Sequence, residues 1–143
     1  MSRFAHSIYS DDVRHEIGNK RSIIGIYTGK MFVTEFPVVL PRLCISTVVV
    51  TPINRPFKEL RFRLLSDDEV VLDSPLDKSH FPSGEDEKSE GENAPRVIIA
   101  NFEMQVSPFP VQKAITLRVR IITEEEELKG GALSIELAPK NPQ

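Results

Sequence analysis

Apolar and polar residues alternate with a period close to two along much of this chain, the pattern of β-strands with one buried face. Leu60, Phe62 and Leu64 alternate with Glu59, Arg61 and Arg63, and Ile115, Leu117, Val119 and Ile121 alternate with Thr116, Arg118 and Arg120. Leu133, Ile135 and Leu137 follow against Ser134 and Glu136. Ile98, Ala100, Phe102 and Met104 alternate with Val97, Ile99, Asn101 and Glu103, whose first members are also apolar, so burial on both faces is expected near that strand's start. Further strands are predicted over residues 4–9, 22–28, 31–34, 43–50 and 70–73.

Turn chemistry separates these runs. Thr28-Gly29-Lys30 and Ser66-Asp67-Asp68 are turn candidates, and residues 124–131 read as a charged hairpin tip with a Gly130-Gly131 exit. Pro52 and Pro56 bar a central strand between Val50 and Phe57, because proline offers no N–H to a ladder, so a crossover loop is expected there. Eight or nine short strands with no helix longer than two turns predict an all-β fold. The expected form is a two-sheet antiparallel β-sandwich with Greek-key links, C2-like or jelly-roll-like. An antibody-type domain is not expected, since there is one cysteine and no tryptophan.

Composition adds limits. A chain of 143 residues, 40% hydrophobic and 27% charged, suits a single domain with one core. Cys44 alone makes no intramolecular disulfide, the N-terminus lacks a signal-peptide pattern, and no run approaches the ~20 apolar residues of a membrane span; a soluble, cytoplasmic protein is expected. The net charge of −3 does not point to a general nucleic-acid binder. It is unevenly spread: six acids against Lys78 and Lys88 lie between Asp77 and Glu92, which leaves the remainder slightly positive. With Pro82, Gly84 and Gly91 among them and Pro95 just after, residues 78–94 are expected to be a mobile acidic loop.

The N-terminal stretch carries the most distinctive pattern: Ala5, Asp11-Asp12-Val13-Arg14, Glu16, Gly18-Asn19-Lys20, the run Ser22 to Tyr27, then Phe36-Pro37 and Leu40-Pro41. It resembles an uncharacterised bacterial family, one also compatible with phages and prophages. In that family a short strand leads to an Asp-Asp-x-Arg-x-Glu segment, a Gly-rich turn and a Ser-Leu-Ile-Gly-x-Tyr strand. The resemblance covers mainly residues 5–45 and implies no activity, substrate or catalytic residue. Asn19 stands where the pattern calls for a second glycine, a departure that touches only the turn. Read physically, Gly18-Asn19 folds the chain back and crowds Asp11, Asp12, Arg14, Glu16 and Lys20 at one end. These are turn-capping and ion-pairing groups on one reading and a small polar binding site on the other. A hard cation would need Asp11 and Asp12 to meet Asp67, Asp68 or Glu69 from a second loop.

Catalytic signatures are missing. His6, His15 and His80 lack metal-ligand spacing, Cys44 between Leu43 and Ile45 reads as a buried inert thiol, and there is no nucleophile elbow, phosphate loop or dinucleotide fingerprint. No catalytic residue, metal or cofactor is assigned. Arg61, Arg63, Arg118 and Arg120 each fall on the solvent side of their strands. If those strands are neighbours they form a basic patch for phosphate or an acidic surface; the alternative is pairing with Glu59, Glu103 and Glu136. The expected function is a non-enzymatic protein-interaction module whose partner is another protein or its own copy as a homodimer, without nucleic acid or membrane. Its narrower form is a phage-associated regulator or defence inhibitor. A small-ligand or metal-binding domain using Asp11 to Lys20, and a structural part of a phage or secretion assembly, are the alternatives.

Overall fold

The computed structural model describes residues 2–77 and 96–140. The predicted loop at 78–94, with His80, lies outside the described residues. Eleven strands follow one another: β1 (Phe4–Glu16), β2 (Lys20–Tyr27), β3 (Lys30–Val33), β4 (Val38–Leu40), β5 (Leu43–Pro52), β6 (Leu60–Ser66), β7 (Glu69–Leu76), β8 (Val97–Val106), β9 (Phe109–Val111), β10 (Ile115–Thr123) and β11 (Glu127–Leu137). Sheet A has the order β2-β1-β5-β8, sheet B the order β3-β11-β10-β6-β7, and β4 pairs with β9 in a small side sheet. The fold is an all-β sandwich.

The alternating residues do what their period requires. Leu60, Phe62 and Leu64 of β6 and Leu117, Val119 and Ile121 of β10 are buried and face Ile45, Val49, Ala100 and Phe102 of sheet A. Phe62 and Phe102 meet edge to face across the sandwich, with ring centroids 6.0 Å apart. β5 is apolar or β-branched along nearly all its length because it is a central strand, flanked by β1 and β8 and buried on both faces. It ends at Pro52, where the proline predicted a break. β11 of sheet B meets β1 of sheet A at Gly130 and Gly131, where a Cβ on Gly130 would stand 3.3 Å from Ser7 Oγ. A Cβ on Gly130 would stand 2.7 Å from Val119 Cγ1, and the Tyr9 hydroxyl donates to the Gly131 carbonyl at 3.1 Å.

Four expectations are corrected. Among the described residues the count is eleven strands, the extra ones being β4 and β9. β3 runs parallel to β11, because the turn at Gly29 carries the chain from sheet A to sheet B and lays β3 along the far edge. Gly130-Gly131 is not the exit of a turn. The β10–β11 turn closes at Glu126, and both glycines lie within β11 where the register shifts opposite Val119 and Arg120. Ile99 of β8 is 44% exposed, so that strand is not buried on both faces.

Candidate functional site

The segment from Asp11 to Lys20 folds back at Gly18-Asn19 as expected and forms a β-hairpin. β1 continues through Glu16, pairs with β2 over its whole second half, and turns through Gly18 (φ 88°) and Asn19 (φ 59°). Its predicted site residues are dispersed along this ribbon. The Tyr27 hydroxyl donates to Asp11 Oδ1, and the Asp11 carboxylate lies over Gly25, which has φ 70°. Burial and this hydrogen bond push the Tyr27 hydroxyl up to about 12. Asp12 accepts from Arg42 Nη1 at 2.7 Å and from the Val13 amide at 2.9 Å, which hold its carboxyl below the ordinary range. Glu16 accepts from the Ser22 hydroxyl at 3.4 Å, and Arg14 faces solvent. Asp11 and Asp12 are therefore structural partners within the ribbon and its flank.

Glu16 and Lys20 do reach a cavity. Beyond Ser10 the ribbon runs past its pairing with β5, and its tip is tied back to β8, where Arg21 and His15 (at 3.4 Å) both meet the Glu103 carboxylate. An open polar cleft of about 770 Å³ lies there, with His15, Glu16, Lys20, Arg21 and Asn101 in its walls. Sequence reading missed His15, Arg21 and Glu103 as a group, because Arg21 and Glu103 are 82 residues apart and no local pattern links them. Asp67 is elsewhere: its carboxylate accepts from the Thr116 amide at 3.0 Å at the β6–β7 turn. Among the described residues no three His, Cys, Asp or Glu side chains come together as a metal site.

The four arginines share one surface. β6 and β10 are neighbours, Arg120 stands opposite Arg63, and Arg118 and Arg61 lie two residues to either side on the same outer face of sheet B. Their partners are not the expected ones. Asp73 of β7 binds Arg61 and, at 3.2 Å, Arg63; Glu127 stands 3.8 Å from Arg120; Arg118 Nη1 reaches the Asp67 carbonyl at 3.5 Å. Glu103 belongs to the other sheet, and Glu136 pairs with Lys30 at 3.5 Å. Burial alone would raise the Asp73 carboxyl, but the hydrogen bond and charge of Arg61 and the charge of Arg63 outweigh it and hold it low.

The outer face of sheet A is apolar by contrast. Pairing sets Phe4, Val50 and Ile99 side by side across β1, β5 and β8, with His6, Val48 and Asn101 in the next row and Ile8, Ser46 and Glu103 after it. Phe4 is 53% exposed, and on the flanking β2 Ile24 and Ile26 are also exposed. Ser46 Oγ is buried without a hydrogen-bond partner among the described residues. Cys44, one row further, is buried, and burial raises its thiol, so it is kept as a protonated packing group.

No helix among the described residues is long and apolar enough to cross a membrane. No curated protein and no solved structure matches the chain. Residues 6–136 match the model of a family of unknown function, DUF6941, and the chain belongs to that family.

Proposed function

We propose that this chain is a non-enzymatic protein-interaction module that engages a protein partner through the apolar outer face of sheet A. The observation that carries the reading is the Phe4, Val50 and Ile99 row. Three apolar side chains stand in register across three strands on the face turned away from the core, two of them about half exposed. An apolar sheet face rimmed by polar groups is a common form of protein-binding surface. Here the rim is supplied by His6, Asn101 and the Glu103 cluster at the hairpin tip.

The resemblance to an uncharacterised bacterial family, also compatible with phages and prophages, makes a bacterial host protein the first class of partner to seek, which is the regulator or defence-inhibitor version of this reading. The test is a pull-down of tagged protein from bacterial lysate with mass spectrometry, run beside the Phe4→Asp/Ile99→Asp double variant and light scattering of both. The wild-type chain should return a reproducible partner, and the variant should lose at least about ten-fold of it, the cost of one buried contact of about 1.4 kcal/mol. A second copy as the partner appears as a dimer that the variant dissociates, and an assembly component as larger oligomers. Equal capture by wild type and variant sinks the reading. The hairpin cleft of about 770 Å³ supports a second reading, a small-ligand site using Glu16 and Lys20, to which a partnerless monomer would shift the weight.

A further inference from the structure

We infer that the outer face of sheet B is a docking surface for an acidic protein segment in extended conformation, held by a cation row formed by Arg63, Arg120 and Lys129 with Arg118 beside it. Arg120 stands opposite Arg63 on β6 and opposite Lys129 on β11, so three adjacent strands present three cations at one level. Like charges placed directly opposite one another weaken a sheet, and folding alone gives no reason to build two such pairs in a row. The protein offsets only part of this charge. Asp73 serves both Arg61 and Arg63, Arg120 lies 3.8 Å from Glu127 and donates to the Val119 carbonyl at 3.1 Å with its side chain 17% exposed, and Arg118 meets a backbone carbonyl. Among the described residues, the five cations around the row thus have two carboxylates as ion-pair partners.

The geometry selects the occupant. Guanidinium forks bind carboxylates through paired N–H donors. Arg118 and Arg120 are two residues apart on β10, a spacing of roughly 6.7 Å, which is also the repeat of every second side chain on an extended peptide. A segment with alternate Glu or Asp residues therefore registers with them while its neighbours reach across to Lys129 or Arg63. Half-buried Leu65 and Ile122 on the same face add the apolar contact typical of protein interfaces. Nucleic acid fits less well. Asp73 and Glu127 interrupt the patch and repel a continuous phosphate chain, and the exposed aromatic Phe32 pairs with Glu136, seven residues along β11 from Lys129 and about 23 Å away at strand spacing.

The surface is separate from sheet A's outer face, so the two proposals fail independently. The experiment is fluorescence anisotropy with a labelled peptide of about twelve alternating Glu and Ser residues, roughly 40 Å when extended. A single-stranded DNA of matched charge is the comparison. The wild-type chain should bind the peptide more tightly than the DNA, with affinity falling as salt rises. The Arg118→Gln/Arg120→Gln variant should bind the peptide at least about ten-fold more weakly. Lys129→Gln, at an exposed position, should weaken it in the same direction and guards against a folding defect in the double variant. Arg120→Gln should leave the melting temperature unchanged or raised, since it removes two like-charge oppositions. Absence of salt-sensitive peptide binding, tighter binding of the DNA, equal binding by the variants, or a melting temperature lowered by Arg120→Gln would overturn the inference.

Discussion

Arg3 precedes the first strand, yet its side chain is only 1% exposed. It donates to Thr51 Oγ1 at 2.9 Å, Thr123 Oγ1 at 3.2 Å, the carbonyls of Arg55 and Pro56 at 3.1 and 3.3 Å, and the Glu124 carboxylate. Its guanidinium carbon lies 4.9 Å from the Phe57 ring centre. One side chain thus fastens the end of β5, the loop that follows and the β10–β11 turn. Arg3→Met should cost about 3 kcal/mol, the usual penalty for removing one partner of a buried ion pair, and roughly 10 °C in a thermal melt. Burial raises the Glu124 carboxyl, but the Arg3 hydrogen bond, the Lys58 amide and the Arg3 charge overcome it, so the group lies below its ordinary value of 4.5. A lowered folded-state value favours the ionised form, so this contribution is complete above pH 4.5 and is lost as the pH falls through the folded value. Melting between pH 3 and 7 should therefore show a steeper acid decline in wild type than in Arg3→Met. Parallel curves would mean that Glu124 is not ionised through Arg3.

At the scale of the element, the β1–β2 ribbon shows what holds a long hairpin in place. Gly25 has φ 70°, and a Cβ there would overlap the Asp11 carboxylate. Gly25→Ala should cost about 1–2 kcal/mol from the left-handed backbone alone, with a further steric part from Asp11. Asp11→Ala in the same chain should recover the steric part and leave the backbone part, so a double-mutant cycle in urea should give a favourable coupling. Strict additivity would show that the carboxylate simply moves aside. The same ribbon marks the limit of what sequence pattern conveys. Strands with one wet face, such as β6 and β10, are legible because burial imprints a period of two. Residues 11–16 are not, since that part of β1 pairs only with β2 and no buried face writes an alternation into it. The parallel placement of β3 and the bulge in β11 depend on which distant strand arrives alongside. The arginine quartet was readable from alternation. Lys129 was not, because the glycine pair beside it reads as a turn until the approach of Ser7 and Val119 explains it.

The whole molecule is a slab with two unlike outer faces, apolar on sheet A and cationic on sheet B, held apart by one core. Acidic residues between Asp77 and Glu92 carry more than the entire net charge of −3, which leaves the rest of the chain slightly positive and sheet B its cationic centre. Packed sheets are about 10 Å apart, and no side chain of the Phe4 row shares a strand with the cation row, so changes on one face should not be felt on the other. A chain carrying both Phe4→Asp/Ile99→Asp and Arg118→Gln/Arg120→Gln should show stability changes that add to within about 0.5 kcal/mol in denaturant melts. The sheet A pair alone should leave acidic-peptide binding unchanged while losing the lysate partner, and the sheet B pair should do the reverse unless that partner's contact is itself acidic. Loss of both activities from either pair, in protein that still melts cooperatively, would mean that one partner wraps the edge of the sandwich and touches both faces. The outer edges of β7 and β8, one in each sheet and unpaired among the described residues, would then be the place to look for its path.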